Sequence, residues 1–308
     1  MESAEENLRA ALQEQKNKFL ALHPVFASKG FTLNEPIGYG SYSVVKRGYD
    51  STRKRAVAVK IVSKRSQATS TLLTKFIPRE KDIIREVRHS NIIRFYDFIE
   101  TTSRIYIVME YAENGSLLNL LKKQKWLPEG KAHAYFGQLA GAVEYLHKCG
   151  IAHRDIKPEN IVLDASDTIK LIDFGFACRL SKVEDEEELP LSNTFCGSYM
   201  YASPELLQCK PYAPQPCDIW ASGVVLYMML FGRSPFSSGK NAPDQLKMIS
   251  VGVYFPANIK VSDEVKNLMK QIFVSAEKRI DATSMFRCNW LQIEHEKIAK
   301  VLNPQSEC

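Results

Sequence analysis

The hydrophobic pattern changes period near residues 110–115, and that change constrains the fold more than any other feature of the chain. From Phe31 to about Arg65 the apolar residues are β-branched or small: Val44 and Val45, residues 56–59, Ile61 and Val62, with turn signals at 38–40 and 50–52. That spacing predicts antiparallel strands. Residues 75–88 read as a helix, and 105–109 (IYIVM) as a buried strand. Past Leu117 the pattern is helical, broken only by strand-like pieces at 160–163 and 169–172. The expectation is an α+β chain, with a small antiparallel β-rich N-lobe followed by a larger α-helical C-lobe.

The N-terminal extension, residues 1–30, places Leu8, Ala11, Leu12, Phe19 and Leu22 at helical spacing, and His23-Pro24 then stops the pattern. A short amphipathic helix is expected, its apolar stripe serving packing. The acidic start, Met1-Glu2-Ser3-Ala4-Glu5-Glu6, lacks the apolar core of a signal peptide. The longest apolar run, GVVLYMMLFG at 223–232, is about half a membrane span and reads as a core helix. Seven cysteines, an odd number without a CxxC, indicate neither a disulfide framework nor a zinc cluster. The expectation is a cytoplasmic, reduced protein that engages no membrane.

Lys+Arg 41 against Asp+Glu 35 leaves +6, too little for a dedicated nucleic-acid binder. The excess is local. Residues 46–94 hold 14 Lys/Arg and 4 Asp/Glu, so this stretch carries +10 and the remainder −4.

Four motifs carry chemistry. Gly38-Tyr39-Gly40-Ser41-Tyr42-Ser43-Val44-Val45 joins two strands with glycines that let backbone N–H groups approach phosphate. A strand follows, where a dinucleotide fingerprint would need a helix. Lys60 ends the strand at 56–60 and can place an ammonium on phosphates, with Glu80 on the following helix as its partner. In His153-Arg154-Asp155-Ile156-Lys157-Pro158-Glu159-Asn160, Asp155 can accept the proton of an attacking hydroxyl, Lys157 can stabilise a moving phosphoryl, and Asn160 can ligate a metal. Asp173-Phe174-Gly175, 18 residues after Asp155, supplies an acidic oxygen for Mg2+.

In this order the motifs resemble those of eukaryotic protein kinases, over residues 31–291. The resemblance implies a two-lobe protein kinase fold: N-lobe 31–109, hinge 110–115, C-lobe 116–291 and a tail at 292–308. It implies ATP and Mg2+ as cofactors, protein substrates and an upstream activating kinase, in a monomer that binds no nucleic acid. Lys157 is similar to the serine/threonine class. Ser203-Pro204-Glu205 stands where the family has Ala-Pro-Glu, with the serine expected to be harmless; Asp218-Ile219-Trp220 opens the central helix, and Arg279 is placed to pair with Glu205. Phe76–Glu80, Gly150–Asp155, Asp173–Ala177 and Thr194–Ser198 most resemble the testis-specific serine/threonine kinases, which implies a role in sperm development.

By the same resemblance Ile37, Gly38, Tyr39, Gly40, Ser41, Tyr42, Ser43, Val44 and Val45 fold over ATP. Val45, Ala58 and Val162 sandwich adenine, Glu110 and Ala112 bond its edge through the backbone, and Met109 guards the back of the pocket. Lys60 and Glu80 orient the phosphates; Asn160 and Asp173 hold Mg2+; Asp155 and Lys157 are catalytic. Thr194, 11 residues before Glu205, is the expected activating phosphorylation site, with Arg154 receiving its phosphate. Ser43 replaces the third loop glycine, and Ser116 stands where many basophilic relatives carry glutamate. The alternative is a catalytically dead pseudokinase scaffold, which intact Lys60, Asp155 and Asp173 argue against.

Overall fold

The computed structural model describes residues 23–40, 43–64, 77–180, 199–208, 212–236 and 241–292. The expected helix over 1–22, Ser41, Tyr42, the acidic run 184–188, Thr194 and the tail from 293 lie outside the described residues. The chain forms two compact units, one of residues 1–85 and 94–112, the other of 86–93 and 113–308.

The first unit opens with α1 (Pro24–Ser28) and continues through β1 (Phe31–Tyr39), β2 (Ser43–Asp50), β3 (Arg55–Ser63), α2 (Ile77–Glu86), β4 (Phe95–Glu100) and β5 (Arg104–Glu110). The strands form one antiparallel sheet, ordered β1-β2-β3-β5-β4. β3 lies at its centre and is apolar on both faces. Val57, Val59 and Ile61 pack with Phe26, Phe31, Tyr106 and Val108, while Val62 packs with Ile77, Ile105 and Ile107. Val57 and Val59 are fully buried, each contributing roughly 1.5–3 kcal/mol.

Pro24 opens α1, since proline at the first helical position loses no hydrogen bond. Phe26 of that helix stacks on Phe31 and Tyr106, and His23 Nδ1 meets the Tyr106 hydroxyl at 2.7 Å. Phe26 therefore belongs to the first unit's core. Lys60, read as a strand end, lies within β3, since Ile61 and Val62 extend the apolar pattern to Ser63.

The second unit contains α3 (Leu117–Gln124), α4 (Glu129–Lys148), β6 (Ile151–Ala152), β7 (Ile161–Leu163), β8 (Ile169–Leu171), β9 (Cys178–Arg179), α5 (Pro204–Leu207), α6 (Pro214–Phe231), α7 (Ala242–Ser250), α8 (Asp263–Ile272), α9 (Ala282–Phe286) and α10 (Asn289–Gln292). β6 pairs with β9 and β7 with β8. Residues 86–93 join this unit instead of the N-lobe span, because Asn91 accepts from Leu171 N and Ile93 donates to Leu171 O, laying the segment parallel to β8. α6 is buried on nearly every side. At Gly223 it closes on α8 so tightly that a Cβ would sit 2.5 Å from Ile272 Cγ2. No helix among the described residues is long and apolar enough to cross a membrane.

Candidate active site

In the first unit, pairing places Lys60 opposite both Val45 and Ile107, and Ala58 opposite Met109. Directly opposed residues share a face, and so do alternate residues of one strand. Val45, Ala58, Lys60 and Met109 therefore come to one side of the sheet. Lys60 Nζ donates to Glu80 Oε1 at 2.8 Å, and both side chains are largely buried. A buried ammonium needs such a partner, and α2 supplies it. Gly40 N donates to Ser43 O at 2.8 Å, closing the β1–β2 turn, while Ile37 and Tyr39 are exposed, Tyr39 at 81%. Glu110 ends β5, its N–H bonded to Arg94 O and its carboxylate to Arg94 N; Ala112 closes the unit.

In the second unit, Asp155 is fixed on both oxygens. Lys157 Nζ donates to Oδ1 at 2.9 Å and to Oδ2 at 2.7 Å, and Asn160 Nδ2 donates to Oδ2 at 2.7 Å and to the Asp155 carbonyl at 2.9 Å. The backbone beneath is held in turn. Asp218, 1% exposed on α6, accepts from His153 N at 2.8 Å, Arg154 N at 2.7 Å and His147 Nε2 at 2.9 Å. Arg154 sits at φ 67°, a left-handed conformation costly for a side chain of that size. Two amides on one carboxylate hold it there.

His153 connects this loop to the Asp173 segment. Its Nδ1 accepts from Asp155 N, so Nε2 carries the proton and donates to Ile172 O at 3.1 Å. The ring meets Phe174 edge-on. Ile172 N donates to Asn160 O, and Asp173 stands at φ 64°. Asp155 and Asn160 thus belong to one hydrogen-bonded network that reaches Ile172, the residue before Asp173, with Val162 at the centre of β7. The Asn160 amide nitrogen is committed to Asp155, which leaves Oδ1 to face a cation. An amide oxygen and a carboxylate suit Mg2+, a hard ion usually held by few protein oxygens together with phosphate.

Glu205 and Arg279 pair as expected, through both guanidinium terminal nitrogens. Arg279 also donates to the carbonyls of Ile272, Pro216 and Val274 and lies over the Trp220 ring. Burial alone would raise the Glu205 pKa, but the hydrogen bond and charge of Arg279 hold it below the usual 4.5. A lowered carboxylate pKa contributes stability above the unfolded value, and that stability is lost as pH falls through the folded one. Glu205→Gln is therefore expected to cost about 1–2 kcal/mol at neutral pH, the carboxylate edge being partly solvated. The gap between the two melts should narrow as pH falls below the usual 4.5; a gap that stays constant on acidification would contradict the pairing's role.

Sequence reasoning assigned no role to Asp218 or His147. The available signal was an acid within an apolar helix, since buried carboxylates are almost always paired. Ser203 is also more than a tolerated replacement: it is buried, and its hydroxyl donates to Cys217 Sγ at 3.2 Å.

The model of the protein kinase domain matches residues 31–291. The chain belongs to the protein kinase family. It is similar to human testis-specific serine/threonine-protein kinase 4, 37% identical over 281 residues, covering 88% of this chain and 85% of the relative. The mouse testis-specific serine/threonine-protein kinase 3 is 41% identical over 246 residues, 80% of this chain and 89% of the relative. A plant relative, the SNF1-related protein kinase catalytic subunit alpha KIN12 of Arabidopsis thaliana, is 35% identical over 279 residues, 90% of this chain and 53% of the relative. The kinase uses ATP with Mg2+ and acts on protein substrates.

Proposed function

We propose that this kinase phosphorylates serine and threonine hydroxyls of proteins in developing male germ cells, as a cytoplasmic monomer switched on by an upstream kinase. The observation that carries the catalytic part is the clamped Asp155, with Lys157 and Asn160 on its oxygens and Asp218 under its loop. Asp155 positions the acceptor hydroxyl and takes its proton; Lys157 stands beside it to stabilise the transferred phosphoryl. Asn160 and Asp173 would hold Mg2+, which when bound neutralises charge between the β- and γ-phosphates. Lys60, braced by Glu80, orients the phosphates, so most of the acceleration is positioning and electrostatics.

The germ-cell reading is supported by the names of the relatives, and the serine/threonine reading by Lys157 as well. Free thiols at Cys149, Cys178, Cys217 and Cys288 support a reducing compartment. Thr194 is the activating site in this reading, its phosphate taken by Arg154. The pseudokinase alternative is disfavoured by the formed Lys60–Glu80 pair.

Radiolabel transfer from ATP to a serine peptide tests the reading. Wild type is expected to label serine, Lys60→Met to fail, and Thr194→Ala to lose about tenfold or more, as a regulatory phosphate gates assembly of the site. No transfer by wild type already phosphorylated at Thr194 would defeat the enzyme reading; full activity of Thr194→Ala would defeat the switch.

A further inference from the structure

Between Ser116 and Pro128 the chain carries three lysines and no acidic residue. Where α3 ends, Lys122, Lys123, Gln124, Lys125 and Trp126 are exposed in unbroken succession, the indole at 48%. None of the three lysines is in an ion pair with a described residue. The next acid along the chain, Glu129, is buried and engaged by Ser262 and the Trp290 indole. The positive charge at this tip is therefore uncompensated by its neighbours in sequence.

The tip is nonetheless firmly built. Lys125 N donates to Leu121 O at 2.7 Å, and Leu127 N donates to Met229 O at 2.6 Å, with the Leu127 side chain buried. Lys125 has φ 70° and ψ −51°, the geometry of a rare, strained γ-turn. Gly232, at the end of α6, makes room for it: a Cβ there would lie 2.4 Å from the Lys125 carbonyl oxygen and 3.7 Å from Trp126 Cβ. Arg233 follows, also exposed. A pinned backbone thus presents cations and an aromatic ring to solvent.

We propose that this surface docks an acidic segment of the protein substrates, with Trp126 covering an apolar residue of that segment and Lys122, Lys123, Lys125 and Arg233 facing its carboxylates. The proposal rests on the kinase reading and names the class of substrate it would favour. Charge complementarity sets the sign of the partner. A few cations and a single indole fall short of the two signals that stable attachment to anionic lipid requires. A docking segment joined to the acceptor serine needs only weak affinity, because the tether raises its effective concentration.

The test compares one serine peptide with and without an acidic, leucine-containing tail on a Gly/Ser linker. With wild type at low ionic strength the tail is expected to lower KM about tenfold at unchanged kcat, the gain shrinking as salt is added. A Lys122→Glu, Lys123→Glu, Lys125→Glu, Trp126→Ala variant is expected to melt like wild type, to turn over the untailed peptide equally, and to lose the gain. Equal KM values for both peptides with wild type overturn the proposal, as does a gain that survives in the variant. Capture of wild type by phosphatidylcholine–phosphatidylserine vesicles that abolishes the gain reassigns the surface to lipid. If neither peptide is phosphorylated, the kinase reading fails, and fluorescence anisotropy of the labelled tail still decides docking: binding to wild type but not to the variant supports it, and equal or no binding overturns it.

Discussion

Asp155→Asn is expected to lower kcat by about a hundredfold to ten-thousandfold, the range for removing a positioned proton acceptor. The asparagine oxygen can still receive Lys157 or Asn160, so the loop geometry, set largely by Asp218, should persist. What is lost is the capacity to take the acceptor's proton and one of two oxygens in the clamp. The thermal midpoint should stay within about 2 °C of wild type, because the side chain is partly solvated and its replacement nearly isosteric. Steady-state phosphoryl transfer beside a melt separates the two effects. A kcat within threefold of wild type would show that Asp155 has another role.

Asp218→Ala has the opposite balance. It removes the acceptor of two backbone N–H groups and of His147 inside the core. Stranding buried donors and breaking a buried polar cluster costs about 3–5 kcal/mol. For a domain of this size that corresponds to a midpoint roughly 10 °C lower. Activity should fall as well, through kcat, since the Arg154 amide loses the carboxylate that accepts from it and the residue can relax from φ 67° toward ordinary geometry. A melt within 2 °C of wild type would mean that water or neighbouring groups replace the carboxylate, contrary to its burial.

Much of this was legible in the sequence because the signals were local. Strand spacing in 31–65 and 105–109 located β1–β3 and β5, and the 153–160 and 173–175 motifs located Asp155, Lys157, Asn160 and Asp173. The strand register, which gathers Val45, Ala58, Lys60 and Met109 on one face, is consistent with the adenine residues named by resemblance. What was hidden depended on contacts distant in sequence. Asp218 reaches an amide 64 residues away, and nothing near it signals that partner. Nothing near His23-Pro24 signalled the short helix that Pro24 opens, because Phe26 is held by Tyr106, 80 residues away. Ser203 looked neutral because its partner, Cys217, lies on another helix.

The three bonds to Asp218 also have a kinetic consequence. Catalytic loops commonly open far more easily than the core beneath them, exchanging their amide protons through local fluctuations. Here the amides of His153 and Arg154 end on a carboxylate carried by the most deeply buried helix of their unit. Opening that loop exposes a buried anion, so solvent exchange at these two positions should keep pace with the slowest amides of α6. The machinery that holds the acceptor hydroxyl would then be lost only when the second unit itself unfolds.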